Sequence, residues 1–209
     1  RDFTRDASHE LRTPLTVIRV ATDMGMAEDS PPRVARALQR IQRAGRDMEA
    51  VIDAFLILAR EAEVEPQSED FDVADIVMDE AENARTLLLN KPVDLEVTLH
   101  ARPRLHAPPR VFQVVVSNLL RNACAYTDRG RIDVLLEPDR VVVRDTGIGM
   151  SVESMQRVFE PFYRADPTRP HGSGLGLSIV SRLCDRFGWK IELDSELGRG
   201  TTATIRFVP

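Results

Sequence analysis

The sequence predicts an α+β protein in two parts: an N-terminal antiparallel helical hairpin forming a dimeric four-helix bundle, then an α/β sandwich with a mixed sheet. Three observations predict it. Over the first part, residues 1–63, apolar side chains recur at alternating steps of three and four, a helical period. From residue 71 onward that period is interleaved with stretches of period two, the signature of strands. The helical and strand stretches of this second part do not alternate strictly, which favours a mixed sheet with helices on one face over a doubly wound parallel sheet.

The elements follow in order. Ser8, Leu11, Leu15, Ile18, Thr22 and Gly25 form one heptad seam; Val34, Leu38, Ile41, Gly45, Met48, Ile52, Phe55 and Ala59 form a second. Between them Asp29-Ser30-Pro31-Pro32 breaks the helix. Ser30 can cap the second helix and Pro31 can open it, because proline lacks only an N–H that a first helical turn leaves unpaired. One hairpin leaves an apolar stripe exposed on each helix. Two hairpins bury those stripes against each other, so a homodimer is expected. Residues 64–70 (VEPQSED) lose the period and read as a linker. Beyond it, 72–89 reads as helix, 93–100 as strand and 110–126 as a strongly apolar helix. Residues 131–137 and 140–145 read as a strand pair around Pro138-Asp139, and 173–187 as helix. Residues 190–194 and 201–208 form a hairpin across Gly198-Arg199-Gly200.

Composition sets the class. Hydrophobic residues at 43% and charged ones at 29% fit a globular chain with a core. A net charge of −5 argues against nucleic acid as a partner, since neutralising a phosphate backbone takes a basic surface. No apolar run approaches the ~20 residues of a membrane span. Cys124 and Cys184 sit within apolar helical patterns at no metal-like spacing and read as buried, reduced thiols. The chain opens at Arg1 already in a helical pattern, as a piece cut from a longer protein would.

The chemistry-bearing residues come in a fixed order. His9 lies one step off the seam defined by Ser8 and Leu11 and therefore faces solvent, where a neutral imidazole nitrogen is available as a nucleophile. Glu10 is placed to hold the ring or take its proton, and Thr13 lies one turn along the same face. Pro14 removes a helical hydrogen bond just beyond. By itself an exposed histidine is more often a plain surface residue. Downstream, Asn118 and Asn122 stand one turn apart on one helix face. Their amide oxygens can ligate Mg²⁺, or the two can bridge neighbouring loops. Asp145, at the end of Val141-Val142-Val143, precedes Thr146-Gly147-Ile148-Gly149. A carboxylate there can accept from an adenine amino group, or the segment can be an ordinary turn. Gly172, Gly174, Leu175 and Gly176 lead into an apolar helix, a start that offers N–H groups and a positive dipole end to phosphates. No Gly-Lys-Ser/Thr follows, and Leu177 stands where a third dinucleotide-binding glycine belongs, so this is neither a P-loop nor a Rossmann turn.

Together these segments resemble the sensor histidine kinases of two-component systems over nearly the whole chain. His9 and its flanks are similar to the H-box, Asn118–Thr127 to the N-box and Asp145–Gly149 to the G1 box. Phe159-Glu160-Pro161-Phe162-Tyr163-Arg164 is similar to the F-box, Gly172–Leu177 to the G2 box and Gly198–Thr201 to the last glycine box. The resemblance implies a dimerisation and histidine-phosphotransfer domain over 1–63 and a Bergerat-type ATP-binding domain over 71–209. It implies ATP and Mg²⁺ as cofactors, with Asn122 the main Mg²⁺ ligand and Asn118 beside it. It gives Tyr126 to adenine packing, Asp145 to the adenine amino group, and Gly147 and Gly149 to the turn beside the base. Residues 160–171 become an ATP lid anchored by Phe159 and Phe162, and Thr201 closes the nucleotide site.

It further implies autophosphorylation of His9 through Nε2, with Glu10 as proton acceptor, and transfer to an aspartate of a response-regulator receiver domain. Thr13 resembles the residue that orients water in dephosphorylating that regulator. The chain is then a cytoplasmic fragment whose parent is an inner-membrane sensor, touching membrane only through upstream segments. Two departures stand out: Ala125 replaces a lysine that many relatives send to the phosphates, and His171 replaces a glycine. Arg121, Arg164 or Arg169 can take over the first role. The rival readings are a conformational ATPase of the gyrase or chaperone kind, which carries a glutamate where Asn118 stands, and a nucleotide-binding signalling module without catalysis.

Overall fold

The computed structural model describes residues 67–166 and 174–207, together with Ile18, Val20, Val34, Ile41 and Gly45. The chain divides into two compact units, Arg1–Glu65 and Pro66–Pro209. In the first unit every described position is helical. Ile18, Val34, Ile41 and Gly45, all on the expected seams, are half-buried, whereas Val20, off the seam, is exposed. The hairpin's turn, its pairing into a four-helix bundle, and His9, Glu10 and Thr13 lie outside the described residues.

The second unit contains β1 (Glu69–Asp72), α1 (Val73–Leu88), β2 (Val93–Leu99), β3 (Arg104–Ala107), α2 (Pro109–Tyr126), β4 (Gly130–Glu137) and β5 (Arg140–Asp145). It continues with α3 (Val152–Arg157), α4 (Gly176–Phe187), β6 (Lys190–Glu196) and β7 (Gly200–Arg206). Five strands form a sheet in the order β2-β4-β5-β7-β6, with β2 parallel to β4 and every other pair antiparallel. The mixed sheet is therefore as the sequence indicates.

Period two sorts each strand into an inner and an outer face. Ile132, Val134 and Leu136 on β4, Val141 and Val143 on β5, and Ala203 and Ile205 on β7 are buried on the inner face. The helices cover it with their apolar stripes. Val73, Val77, Ala81, Ala84 and Leu88 on α1 are buried at helical spacing, as are Val115, Leu119 and Ala123 on α2 and Ile179, Val180, Leu183 and Cys184 on α4. α1 packs on α2, and α2 on α4. Phe112, fully buried on α2, gathers Phe71, Trp189 and Phe207 around its ring at centroid distances of 5.7, 5.3 and 5.8 Å.

Three features depart from the sequence-based elements. β1 pairs with β3 as a separate two-stranded sheet, so Glu69 and Asp70, expected in the linker, are already opposite Ala107 and His106. The polar VEPQSED stretch hides this strand because its pairing rests on the backbone ladder with β3 and on Phe71 against Phe112, with an exposed Asp70–His106 contact (2.7 Å) across it, not on an alternating pattern. α3 is short and buries no residue, which leaves no apolar stripe to read; Ser151 caps it through a bond from Ser154 N–H at 3.2 Å. α4 begins at Gly176, not 173, because Gly174 takes a left-handed φ of +74° that helical backbone excludes.

The C-terminus of α2 carries its own cap. Lys91 Nζ donates to the carbonyls of Cys124 (2.7 Å) and Thr127 (3.0 Å), with Asp128 at 3.7 Å. A cation there satisfies carbonyls that the helix leaves unpaired and opposes the negative dipole end. Replacing Lys91 by Met keeps the stem and removes the donor. We expect a loss of about 1–2 kcal/mol, since bonds to a charged donor are worth more than neutral ones. Thermal unfolding checks this, and an unchanged midpoint would show that the cap contributes nothing.

Candidate functional site

Where β5 and β7 meet, the inner face of the sheet turns polar. Asp145 follows Val141 and Val143 on that face and is 8% exposed. Its Oδ1 accepts the N–H of Gly147 at 2.8 Å and that of Thr201 at 3.3 Å. Burial is the stronger influence and pushes its carboxyl above the usual range, while the two amide bonds pull the other way. Gly200, at φ +104°, lies against the Asp145 carbonyl where a Cβ would collide. The turn after β5 is stitched on both sides: Ile148 N–H donates to Tyr126 O (3.1 Å) and Gly198 N–H to Ile148 O (2.7 Å). Gly147 thus sits under the end of α2, and Gly149 against the Glu196 carbonyl. Asp145, Gly147, Gly149, Thr201 and Tyr126 form one group.

A second group forms in the middle of α2. Asn118 Nδ2 donates back to Val114 O at 2.8 Å, which turns Oδ1 outward. A Cβ added to Gly176 would come within 2.9 Å of Asn118 Oδ1 and 3.8 Å of Asn122 Oδ1. Both amide oxygens therefore face the first residue of α4, and only glycine leaves room there. Leu175, at the N-cap position of α4, makes no side-chain cap, and the helix has no acidic residue in its first turn. Leu175 O accepts Ile179 N–H (2.9 Å) and the Ser178 hydroxyl (2.8 Å). First-turn N–H groups of a helix lack partners within it and favour anions. Neutral oxygens suited to a hard cation thus meet donors suited to phosphate. The residues present fit a Mg²⁺–phosphate group. Among the described residues no cluster of three His, Cys, Asp or Glu suits a metal ion.

Between the two groups in sequence lies the stretch from α3 to α4. Phe159 and Arg164 are half-buried. Phe162, at φ +65°, donates its N–H to Gly174 O at 3.0 Å, which brings the two ends of the following segment together. Tyr163 donates its hydroxyl to Ser154 Oγ (3.1 Å) and lies under the Arg157 guanidinium (4.5 Å), itself paired with Glu160 at 3.0 Å. Gly172, with residues 167–173 of the expected lid and glycine box, lies outside the described residues.

Comparison with known proteins decides the family. Residues 1–63 match the family model described as the His Kinase A (phospho-acceptor) domain. Residues 107–209 match that of the histidine kinase-, DNA gyrase B-, and HSP90-like ATPases. The chain belongs to the two-component sensor histidine kinases.

The kinase chain is 32% identical over 98% of its length to sensor protein QseC of Escherichia coli K12. It is 34% identical over its whole length to the phosphate regulon sensor protein PhoR of Pseudomonas aeruginosa. It covers 47% and 50% of those proteins, so it spans about half the length of the curated relatives it matches. Among solved structures, the mycobacterial sensor histidine kinase MprB aligns at TM-score 0.57 and 26% identity, over 66% of this chain and 95% of that one. Histidine kinase AdeS of Acinetobacter baumannii shares the fold at TM-score 0.70, 19% identity and coverage of 96% and 98%. No helix among the described residues is long and apolar enough to cross a membrane. Cys124 and Cys184 are buried free thiols, pushed up by burial to about 11 and about 12.

Sequence reasoning missed Ser195, whose hydroxyl lies 3.0 Å from Gly200 O and 2.9 Å from Thr201 Oγ1. The available signal was its parity: Ile191, Leu193 and Ser195 alternate, and a serine on an apolar face calls for a partner. It also missed the α3 clamp on Tyr163, whose serine cap was readable but whose tyrosine partner is nine residues away.

Asp145 yields a prediction with a definite sign. Its folded value lies above the ordinary carboxylate value of 3.8, so burying the ionised form costs stability above the folded value and nothing below the unfolded one. Asp145→Asn removes that cost while its Oδ1 still accepts both amides, but it presents an NH₂ where the resemblance expects the adenine amino group to donate. The variant should melt no lower than wild type and bind ATP at least ~10-fold more weakly, as an unpaired buried polar group requires. In wild type, ATP affinity should fall as pH drops through the raised value, at a higher pH than an ordinary carboxylate would give. Calorimetric titration across a pH series measures both, and equal affinity of the variant would reject the assignment.

Proposed function

We propose that the chain is the catalytic core of a protein histidine kinase that uses ATP to phosphorylate its own His9, then passes the phosphoryl group to an aspartate of a response-regulator receiver domain. The observation that supports it most is the convergence of Asn118 Oδ1 and Asn122 Oδ1 on the uncapped helix start at Gly176. Asp145 lies by the far end of the same helix α2.

In this reading Asp145, with Tyr126, Gly147, Gly149 and Thr201, holds the adenine. Asn118, Gly172, Gly174, Leu175 and Gly176 lie along the phosphates, with Phe159 and Arg164 at the lid that covers them. Asn122 holds Mg²⁺, which when bound balances the charge of the phosphates during transfer. The Nε2 lone pair of His9 forms the N–P bond as the bond from the γ-phosphorus to the β–γ bridging oxygen breaks, and ADP leaves with that electron pair. The proton on Nδ1 passes to Glu10. Transfer onward breaks the N–P bond and forms an O–P bond to the regulator's carboxylate. Thr13 orients the water that later hydrolyses this acyl phosphate. The hairpin makes the homodimer, residues 64–68 ahead of β1 allow the two domains to meet, and nucleic acid has no part. The parent protein is an inner-membrane sensor, a reading supported by relatives named as sensor proteins and twice as long.

Incubation with γ-labelled ATP and Mg²⁺ tests the kinase. Wild type should gain an acid-labile, base-stable label that His9→Gln and Asn122→Ala lack. Label persisting on His9→Gln would remove His9 from the mechanism. Nucleotide binding without any label would instead favour a signalling module, a reading that Ala125 in place of a phosphate-side lysine also favours.

Thr13→Ala should keep autophosphorylation and lose at least ~100-fold in dephosphorylation of the phosphorylated regulator, the low end for a group assisting proton transfer. Loss of both activities together would defeat that role.

A further inference from the structure

Beyond the residues already placed at the base, the rim of the inner sheet face carries one more polar side chain. The register sets Ser195 on β6 opposite Thr201 on β7, one step beyond the Leu193–Ala203 pair. Ser195 is half-buried and Thr201 adjoins Asp145 through its N–H. Ser195 Oγ lies 3.0 Å from the Gly200 carbonyl and 2.9 Å from Thr201 Oγ1.

A hydroxyl has one proton and two lone pairs. The Gly200 carbonyl can only accept, so the Ser195 proton goes to it. The contact with Thr201 must then be filled by the Thr201 proton, donated to Ser195 Oγ. That leaves Thr201 Oγ1 with lone pairs alone to offer the pocket. The Asp145 carboxylate beside it, with Oδ1 already accepting two amides, is likewise an acceptor. Ser195 and Thr201 therefore offer the pocket no hydroxyl proton.

We infer that Ser195 is a positioning residue for base selectivity: by taking the Thr201 proton it makes the rim a reader of an exocyclic amino group and a barrier to a ring carbonyl in the same place. This deepens the proposed nucleotide-binding function and rests on it. Without Ser195 the Thr201 hydroxyl can rotate and donate, so a purine carrying a carbonyl instead of the amino group gains a partner.

The test compares the dissociation constants of ATP and inosine triphosphate, which differ at that group, for wild type, Ser195→Ala and Ser195→Thr. Because the readout is a ratio, the fraction of folded protein cancels. Wild type should prefer ATP, and Ser195→Ala should lower the preference about 3- to 10-fold, the range for one net hydrogen bond. Ser195→Thr, which keeps the hydroxyl, should restore it. At saturating ATP the autophosphorylation rate of Ser195→Ala should stay near wild type while KM rises, because the phosphate end is untouched. Adding Ser195→Ala to Thr201→Val should change the ratio no further. Wild type that binds ATP with an unaltered ratio in Ser195→Ala overturns this role alone. Wild type that binds no ATP overturns the nucleotide reading and this role with it.

Discussion

The second unit is organised around one costly group, the Asp145 carboxylate at the buried end of the central strand β5. A charge held away from water must be hydrogen-bonded or it will be neutralised. Two backbone amides, from Gly147 and Thr201, answer that need on one oxygen. To bring them there, the chain after β5 must turn sharply and the start of β7 must press against the Asp145 carbonyl. Gly200 permits the second contact, and the Ile148 bonds to Tyr126 and Gly198 hold the first. Loops that look separate in sequence are thus one hydrogen-bonded collar around a single side chain.

The same economy governs the group where α2 meets the start of α4. α2 packs on both α1 and α4, so its apolar positions are committed to the core. Asn118 and Asn122 occupy half-buried positions on the flank, where amide oxygens keep access to ligand. The bond from Asn118 Nδ2 to Val114 O spends the amide's donor on its own helix and leaves the oxygen to face α4. A side chain at Gly176 would fill the gap between the helices, so the absence of a Cβ there is a condition for the site.

Much of this was legible in the sequence, for identifiable reasons. α1, α2, β4 and β5 are long and half-apolar, so their periods survive and their expected bounds lie within a residue or so of those observed. Asp145 and the glycines stand out because each breaks a local rule where an element ends or begins, and Asn118 and Asn122 because two amides one turn apart interrupt an apolar helix. β1 was hidden because what holds it, its ladder with β3 and the packing of Phe71 against Phe112, involves partners more than thirty residues away. α3 was hidden because six residues without a buried side chain make no stripe. Ser195 was hidden in a hairpin that sequence reasoning ended at residue 194, one residue short of it. Pairing information, not composition, separates the two classes.

α2 also sets the scale of the site. Tyr126, at its last turn, receives the Ile148 amide from the Asp145 turn, while Asn118 and Asn122 face the start of α4. Asn118 and Tyr126 are eight residues apart, which is about 12 Å along a helix rising 1.5 Å per residue. The proposed placing of a base at one end and phosphates at the other needs a separation of this order, and a rigid helix supplies it. The position of Ala125 is informative on the same scale. It lies at the base end of α2, one turn beyond Asn122, so only a long side chain could return from there to the phosphates, and alanine cannot. The nearby ammonium of Lys91 is committed to the Cys124 and Thr127 carbonyls at the helix end. Any cation proposed to assist the phosphates must therefore come from outside the C-terminal turn of α2, and Arg121, Arg164 and Arg169 are the candidates the sequence supplies.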